Sequence, residues 1–287
     1  MAVYLAPAKI NLCLHVLSRR SDGYHELCML MQKVSLYDDL EVILTDQPGI
    51  AFQCEDARIP RGKENIAVRA AEAMCCYDRS GRGVLLRLTK RIPLAAGLGG
   101  GSSDAATVLM ALNAELGLNL DTSVLAAEAL KLGADVPFFL GAATAWAEGV
   151  GERLQPVDQI PECFFLLVNP GVEVSTGQVY RTLKQYSLPP VKLAAFTVVR
   201  ELAALLHNDL EAPAFASAPV VEQVKNVVSG CSSHGVLMSG SGATVFALFD
   251  DRNDAESVAE WLQRNHPWWV RIVEPVVDVG LLRAGHP

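Results

Sequence analysis

Residues 93–106 read PLAAGLGGGSSDAA, and this stretch decides the fold. Four glycines, at 97 and 99–101, remove side chains, so that backbone N–H groups can approach an anion and adopt positive φ angles. The alanine-rich spacing from Ser103 to Leu116 predicts a helix directly after them, and a helix N-terminus favours phosphate. The two serines add hydroxyl donors. The stretch indicates a phosphate-binding loop; a flexible loop with an ordinary helix cap is the alternative.

Two familiar phosphate motifs do not fit this loop. It lacks the G-x-x-x-x-G-K-[ST] pattern of a Walker A loop, and the dinucleotide pattern G-x-G-x-x-G breaks at Ser102. Residues 93–96 also separate the glycines from the preceding strand. Asp121 nevertheless follows at a spacing that suits a ribose contact, so a dinucleotide-dependent oxidoreductase stays open as an alternative.

Composition and charge limit the classes of function. The chain has 287 residues, half of them apolar and a fifth charged, which predicts an ordered protein with more than one lobe. Its formal net charge of -8 argues against a nucleic-acid binder, which needs a basic face. A polyanionic small molecule can still bind where local N–H groups and cations oppose the overall field. The glycine-rich loop is such a place.

Targeting and metal signals are not visible in the sequence. The first residues lack a basic stretch followed by an apolar run, and no apolar run approaches the roughly 20 residues of a membrane helix. The seven cysteines contain no C-x-x-C, and the six histidines have no H-x-x-x-H spacing. These patterns predict a reduced, cytoplasmic, zinc-free protein with no membrane partner.

Strand and helix patterns alternate irregularly along the chain. Strands are predicted at Val3–Leu17, Leu27–Val34, Leu40–Leu44, Val84–Thr89, Phe164–Asn169, twice within Val236–Phe249, and at Trp269–Val279. Helices are predicted at Asn65–Cys76, Ser103–Leu116, Asp121–Leu132, within Val191–Leu206, and at Pro219–Ser229 and Asp254–Asn265. The result is an α+β fold in two lobes, residues 1–155 and 156–287.

A buried charge is predicted near the N-terminus, where residues 7–12 read PAKINL. Lys9 and Asn11 alternate with apolar residues, which places both on one face of a strand. The apolar neighbours indicate that the strand is mostly buried, and a buried cation needs a partner. An edge strand with a solvated face would produce the same pattern.

Asp135 is a candidate partner for this lysine. It lies between Gly133, where a helix ends, and Pro137, which begins an apolar segment. This is a favourable N-cap position, so capping is the simpler explanation. A functional explanation makes Asp135 the partner of Lys9.

Residues 239–245 read SGSGATV and form a turn of small residues between two apolar strands. The glycines can be packing features of the two strands, or they can let the backbone of this turn come close to the phosphate loop.

Taken together and in this order, the three segments at 7–12, 93–106 and 239–247 resemble the motifs of the GHMP kinases. The resemblance implies an N-terminal lobe like ribosomal-protein S5 domain 2 and a ferredoxin-like C-terminal lobe, with ATP and substrate in the cleft between them. Ala95 and Ala96 stand where related loops often carry glycine. Non-catalytic and decarboxylase members of the family are alternatives; retention of both Lys9 and Asp135 favours catalysis.

The resemblance also implies roles for individual residues. Asp135 would accept the proton of the substrate hydroxyl, and Lys9 would stabilise charge on the transferring group. ATP, with Mg²⁺, would be held by Pro93, Leu94, Ala95, Ala96, Gly97, Leu98, Gly99, Gly100, Gly101, Ser102 and Ser103. Asn65 is placed near the adenine. Asp104 is interpreted as a helix cap, with a magnesium role left open.

Residues 22–27 (DGYHEL) and 133–138 (GADVPF) are similar to a subgroup whose acceptor is a cytidine-diphosphate-linked methylerythritol. By this resemblance Tyr24 would stack on the cytosine, His25 would bind its edge, and Tyr180 would close the other face. Asn11 would contact the polar tail of the substrate.

Overall fold

A computed structural model provides the fold and describes residues 2–277 and 280–284. Its strands are β1 (Ala2–Arg19), β2 (His25–Thr45), β3 (Ile50–Cys54), β4 (Gly83–Thr89), β5 (Thr144–Gly149), β6 (Arg153–Pro156), β7 (Phe164–Asn169), β8 (His207–Asn208), β9 (Gly235–Met238), β10 (Val245–Phe249), β11 (Trp269–Val273) and β12 (Leu282–Arg283). Its helices are α1 (Ile66–Cys75), α2 (Gly100–Glu115), α3 (Thr122–Leu132), α4 (Val136–Leu140), α5 (Thr176–Thr182), α6 (Val199–Ala203), α7 (Glu211–Ser217), α8 (Pro219–Ser229) and α9 (Arg252–Asn265).

The larger sheet is built on the long antiparallel pair of β1 and β2. The chain reverses between them at Gly23, whose φ is 89°, while the N–H of Tyr24 donates to Asp22 Oδ1. The sheet runs β12-β1-β2-β4-β3, with β5 paired to β2, β6 to β5, and β8 to β1. The antiparallel pairing of β1, β2 and β4 is not the doubly wound parallel sheet of dinucleotide enzymes, so that alternative is excluded.

The smaller sheet has the antiparallel order β11-β7-β10-β9, and α8 and α9 pack on it. α8 buries one face through Val221, Val224 and Val228, at the i, i+3, i+7 spacing of an amphipathic helix. Strands and long helices follow one another as β-α-β-β-α-β, the ferredoxin-like arrangement. The predicted two-lobed α+β class is therefore confirmed.

One predicted pair of strands is a single strand in the structure. The predictions left residues 35–39 between two strands, but β2 continues through them. Each polar group there has a partner: the N–H of Ser35 donates to the Glu274 carbonyl, and Asp38 Oδ1 accepts from the N–H groups of Arg91 and Ile92. Satisfied polar groups let a strand remain continuous where composition indicates a turn.

Other boundaries also differ from the predictions. α2 begins at Gly100 rather than Ser103, the helix predicted within 191–206 is only the short α6, and the last long strand ends at Val273. Residues 278–279 of that predicted strand lie outside the described part of the chain. The short strands β8 and β12 return from the second half of the chain to pair with β1.

Among the residues that the structure describes, no helix combines the length and the apolar character needed to cross a bilayer. The lobe boundary after residue 155, the cytoplasmic location and the exclusion of nucleic-acid and membrane partners stay predictions.

Candidate active site

The glycine-rich loop enters α2 with two residues in the left-handed region, Gly97 at φ 75° and Gly99 at φ 69°. A Cβ on Gly99, the N-cap residue of α2, would lie 2.9 Å from both Lys9 Cγ and Phe139 Cζ. Glycine is therefore required there by conformation and by space. Ala95 also has a positive φ of 49°, in the region that favours glycine.

The turn at 239–242 packs directly against this loop. Ser239 Oγ donates to the Gly97 carbonyl at 3.0 Å, and the N–H of Thr244 donates to the Ala96 carbonyl at 3.2 Å. A Cβ on Gly97 would lie 2.1 Å from the Ser239 carbonyl oxygen. Of the two roles left open for this turn, the structure shows the close approach to the glycine-rich loop.

The loop forms one wall of a cavity of about 1020 Å³. Segments that are far apart in sequence converge on it. The predicted site residues that line it are Lys9, Asn11, Tyr24, His25, Pro93, Leu94, Ala95, Ala96, Gly97, Leu98, Gly99, Gly100, Gly101, Ser102, Asp135 and Tyr180. Ser103, in the same helical turn, is buried behind them.

Lys9 and Asp135 form an ion pair in the cavity wall, with 3.7 Å between Nζ and Oδ2. Lys9 is 4% exposed, and its Nζ also donates to Asn11 Oδ1 at 2.5 Å. Burial lowers the pKa of Lys9, and the Asp135 carboxylate opposes that shift. Asp135 occupies the N-cap position of α4 but makes no capping hydrogen bond. Pairing with Lys9 is thus confirmed, and capping does not explain this aspartate.

Lys33 faces Lys9 in the ladder between β1 and β2 and holds the far end of α4. Its Nζ donates to the carbonyls of Phe139 at 3.1 Å and Gly141 at 2.8 Å. Burial lowers the pKa of Lys33 to about 8. These two hydrogen bonds hold the C-terminal end of α4, and Asp135 lies at the N-terminal end of the same helix. The sequence analysis did not single out Lys33, because its partners are backbone carbonyls that no pattern reveals.

Asp104 is not the helix cap predicted from the sequence. Because α2 begins at Gly100, Asp104 lies beyond the first turn, where it is 2% exposed and its Oδ2 accepts from Lys90 Nζ at 2.9 Å. Lys90 also donates to Asp38. Burial raises the pKa of Asp104 to about 8. Burial acts to lower the pKa of Lys90, but the two carboxyl groups outweigh it and raise that pKa.

Lys90 is therefore a charged group at the cavity that the sequence analysis missed. It lines the cavity, and a Cβ on Gly100 would lie 3.1 Å from its Nζ. The sequence feature that could have identified Lys90 is its position at the end of β4, just before the glycine-rich loop. Two buried aspartates from distant segments hold it there.

Aromatic residues gather along another part of the same cavity. Tyr24 is 64% exposed, and the ring of His25 stacks on that of Tyr180 with 5.1 Å between centroids. Burial and the charge of Arg19 lower the pKa of His25, which keeps the imidazole neutral with one donor and one acceptor nitrogen. The sequence analysis did not single out Tyr186, whose ring centroid lies 6.3 Å from that of His25 and which also lines the cavity.

Asn65, placed near the adenine from the resemblance, caps a helix in the structure, and its adenine contact stays a prediction. Its Oδ1 accepts from the N–H of Ala67 and caps α1, while its Nδ2 donates to the Pro60 carbonyl. Both ends of the amide are thus used within the protein. The neighbouring Ile66 lines the cavity instead.

We expect Gly99→Ala to weaken ATP binding by at least about tenfold, the equivalent of about 1.4 kcal/mol, because its Cβ would displace Lys9 and Phe139 at the cavity wall. Calorimetric titration with ATP measures this effect. Gly117→Ala is the matched control: Gly117 also has a positive φ, 65°, but has open space around it at the other end of α2. It should lower stability and leave ATP affinity unchanged. Equal affinities for both variants would contradict a close approach of phosphate to this loop.

Two family models match the chain: GHMP kinases N terminal domain over residues 65–142, and GHMP kinases C terminal over residues 193–267. Together they cover more than half of the chain. The chain therefore belongs to the GHMP kinases, small-molecule phosphotransferases that use ATP as phosphate donor.

Particular members of the family are similar over nearly the whole length. The 4-diphosphocytidyl-2-C-methyl-D-erythritol kinase of Syntrophotalea carbinolica is 50% identical over 282 residues, covering 97% of this chain and 100% of the relative. A crystal structure of 4-(cytidine 5'-diphospho)-2C-methyl-D-erythritol kinase matches with a TM-score of 0.78 at 40% identity, covering 94% of this chain and 98% of that one. Homoserine kinase from Cytophaga hutchinsonii shares the fold, with a TM-score of 0.74 at 17% identity and coverage of 98% and 96%.

Proposed function

We propose that this chain transfers the γ-phosphoryl group of ATP to the 2-hydroxyl of 4-diphosphocytidyl-2-C-methyl-D-erythritol, in the non-mevalonate route to isopentenyl diphosphate. The observation that carries the proposal is the ion pair of Lys9 and Asp135, which shares one cavity with the glycine-rich loop and the aromatic residues. The names of the full-length relatives support this acceptor.

The donor end of the site is the loop and the start of α2. The first N–H groups of a helix have no partner within it, and the helix dipole adds positive potential there. Lys90 Nζ also lies beside Gly100, although Asp38 and Asp104 balance its charge, so the helix start is the main source of positive potential. These groups offset the net charge of -8 where the ATP phosphates would bind.

At the reaction centre, Asp135 accepts the proton of the substrate hydroxyl as the hydroxyl oxygen attacks the γ-phosphorus, and ADP leaves. Lys9 Nζ lies 3.7 Å from Oδ2 of that carboxylate. The same ammonium stabilises negative charge on the transferring group. Asn11 orients Lys9 through its side-chain oxygen.

The acceptor end would hold the cytidine diphosphate group. Tyr24 presents an open ring face, and the neutral His25 offers a donor and an acceptor to the cytosine edge. One face of Tyr180 is already stacked on His25, so the base would use the other face or displace the His25 ring. Asn11 lines the cavity between this end and the phosphate loop and is proposed to contact the substrate's polar tail.

Mg²⁺ is proposed as the second cofactor. It binds oxygen ligands and is usually held by ATP phosphates with one or two protein oxygens. Among the described residues Ser103 Oγ, buried at the start of α2, has no hydrogen-bond partner, and Ser102 lines the cavity. These hydroxyl oxygens fit a hard cation and are the residues proposed to hold it. Mg²⁺ supplies neutralisation of the charge that develops on the phosphate oxygens.

A coupled ADP-release assay over a panel of acceptors tests the proposed substrate. We expect turnover of the cytidyl acceptor and little turnover of galactose, homoserine or mevalonate, since these lack a base to stack and an edge to bind. Efficient turnover of one of the small acceptors would overturn the proposed substrate and leave the assignment as a kinase intact.

We expect Tyr24→Ala to lower kcat/KM for the cytidyl acceptor about 5- to 150-fold, the equivalent of 1–3 kcal/mol of base stacking. The KM for ATP should stay nearly unchanged. His25→Ala should reduce discrimination between cytosine and uracil forms of the acceptor, because it removes the contact to the base edge. Tyr77→Ala, at an exposed tyrosine that does not line the cavity, is the control. Identical kinetics for the Tyr24 and Tyr77 variants would rule out stacking on Tyr24.

A further inference from the structure

Two histidines and an aspartate meet at the surface beside β1 and β8. The rings of His15 and His207 stack with 4.3 Å between centroids, and His207 Nε2 lies 2.7 Å from Asp209 Oδ1. One side-chain ligand atom from each of the three residues lies within 4.8 Å of the others. None of them lines the active-site cavity, so the proposed kinase reaction leaves this cluster unexplained.

We propose that His15, His207 and Asp209 form a binding site for a divalent transition metal of the zinc type. Two imidazoles and one carboxylate are a donor set that suits Zn²⁺, with a water molecule as the fourth ligand. Hard cations such as Mg²⁺ prefer all-oxygen sites, so this cluster selects a different ion from the one that accompanies ATP. The sequence-based prediction of a zinc-free protein rested on local spacing, and these ligands come from distant segments.

A second observation points to a missing ligand. His15 Nδ1 is buried and has no hydrogen-bond partner among the described residues. An unpaired buried nitrogen costs free energy, and a bound metal would satisfy it. Metal–ligand bonds of about 2.0–2.1 Å place neighbouring ligand atoms roughly 3.3 Å apart, so His207 Nε2 and Asp209 Oδ1, now 2.7 Å apart, would separate slightly while the ligand atom of His15 approaches from at most 4.8 Å. Side-chain rotation supplies that movement, and the exposed face of His207 leaves an entry path.

The surrounding contacts hold the carboxylate in place. Asp209 Oδ2 accepts from the N–H of Val16 at 2.7 Å, and Asp209 Oδ1 accepts from Ser187 Oγ at 2.6 Å. Such outer contacts orient metal ligands. A metal here would tie β8 to β1, and Asn208 of β8 donates to the carbonyls of Met238 and Gly240 in the turn that packs on the phosphate loop. The bound ion would therefore stabilise that part of the fold.

The alternative is a hydrogen-bonded cluster that holds β8 without any metal. The two explanations differ in what they predict for added zinc. A metal site binds one equivalent with an affinity that depends on both imidazoles, whereas a hydrogen-bonded cluster binds none.

Calorimetric titration of the chelator-treated protein with ZnCl₂, without nucleotide, tests the site. We expect one equivalent to bind to the wild type and the affinity to fall at least about 100-fold in His15→Gln and in His207→Gln, since even outer contacts are worth 10–100-fold. His234→Gln is the matched control, because His234 is also exposed beside one carboxylate, Asp250, at 2.9 Å. Circular dichroism of each variant verifies folding.

Cobalt(II) in place of zinc identifies the ligands. Histidine and carboxylate ligation gives visible d–d bands without the intense near-ultraviolet band of thiolate ligation, which separates this site from binding at cysteines. Zinc should also raise the melting temperature of the wild type and of His234→Gln only. The proposal is wrong if the wild type binds no zinc, if both histidine variants bind it as tightly as the control, or if cobalt shows thiolate ligation.

Discussion

Asp135→Asn is expected to lower kcat roughly 10²–10⁴-fold while the variant remains folded and binds ATP, which is the usual result of losing a general base. Asparagine keeps the volume of aspartate but cannot accept the hydroxyl proton. Because Asp135 makes no capping hydrogen bond in α4, the substitution leaves that helix start intact, but it removes the anionic partner of the buried Lys9, so the stability of the variant must be measured alongside kcat. Its side chain pairs with Lys9. The measurement is kcat at saturating ATP and acceptor, with ATP affinity measured separately.

Asp121→Asn is the control for this variant. Asp121 also stands at an N-cap position, that of α3, without a capping hydrogen bond, and it is exposed outside the cavity. Its kcat should equal that of the wild type. A folded Asp135→Asn enzyme with wild-type kcat would show that Asp135 is not the base.

Most of the fold follows from local sequence patterns. The glycine-rich stretch, the amphipathic spacing of α8 and the apolar strands of the smaller sheet are features of a few consecutive residues, and the structure has them where they were predicted. The errors come from long-range contacts. Residues 35–39 were left between two predicted strands because the contacts that keep β2 continuous there, with Glu274 and residues 91–92, come from distant segments. The two-residue strand β8 is defined only by its pairing with β1.

The candidate site was predicted least well where charge is buried. Asp104 was interpreted as a cap because it follows the glycines, but the helix begins within them, and Asp104 instead pairs with Lys90. Asn65 was placed near adenine, although its amide caps α1. Local patterns locate a polar residue, whereas its partner depends on packing between elements. The pairing of Lys9 with Asp135 was foreseen because a lysine among apolar residues on a buried strand needs an anion.

Lys9→Met is expected to lower kcat on the order of 10²-fold or more, because the variant loses the charge that stabilises the transferring group. Methionine retains the apolar length that packs against Gly99. It leaves the buried Asn11 oxygen without its donor, so stability should fall by about 1–3 kcal/mol. The kcat must therefore be measured well below the melting temperature of the variant.

The pH dependence of kcat separates a catalytic charge from a structural one. Burial lowers the pKa of Lys9, so the ammonium loses its proton as the pH rises through that value, and the wild-type kcat should fall on the alkaline side. The Asp135 carboxylate opposes this lowering, so the pKa of Lys9 should fall further when that carboxylate is removed. Asp135→Asn should consequently move the alkaline fall to lower pH, whereas Lys9→Met, which has no ammonium to lose, should not show it.

The double variant Lys9→Met/Asp135→Asn completes the argument, because residues that act as one unit have strongly non-additive effects. If Lys9 acts on the same proton and phosphoryl transfer as Asp135, the double variant should lose about as much kcat as the more damaged single variant. If Lys9 only supports the strand, the two losses should multiply, and the alkaline fall should persist in the folded Lys9→Met enzyme. Multiplied losses together with that persistent fall would exclude Lys9 from the chemistry and leave it a structural partner of Asp135 and Asn11.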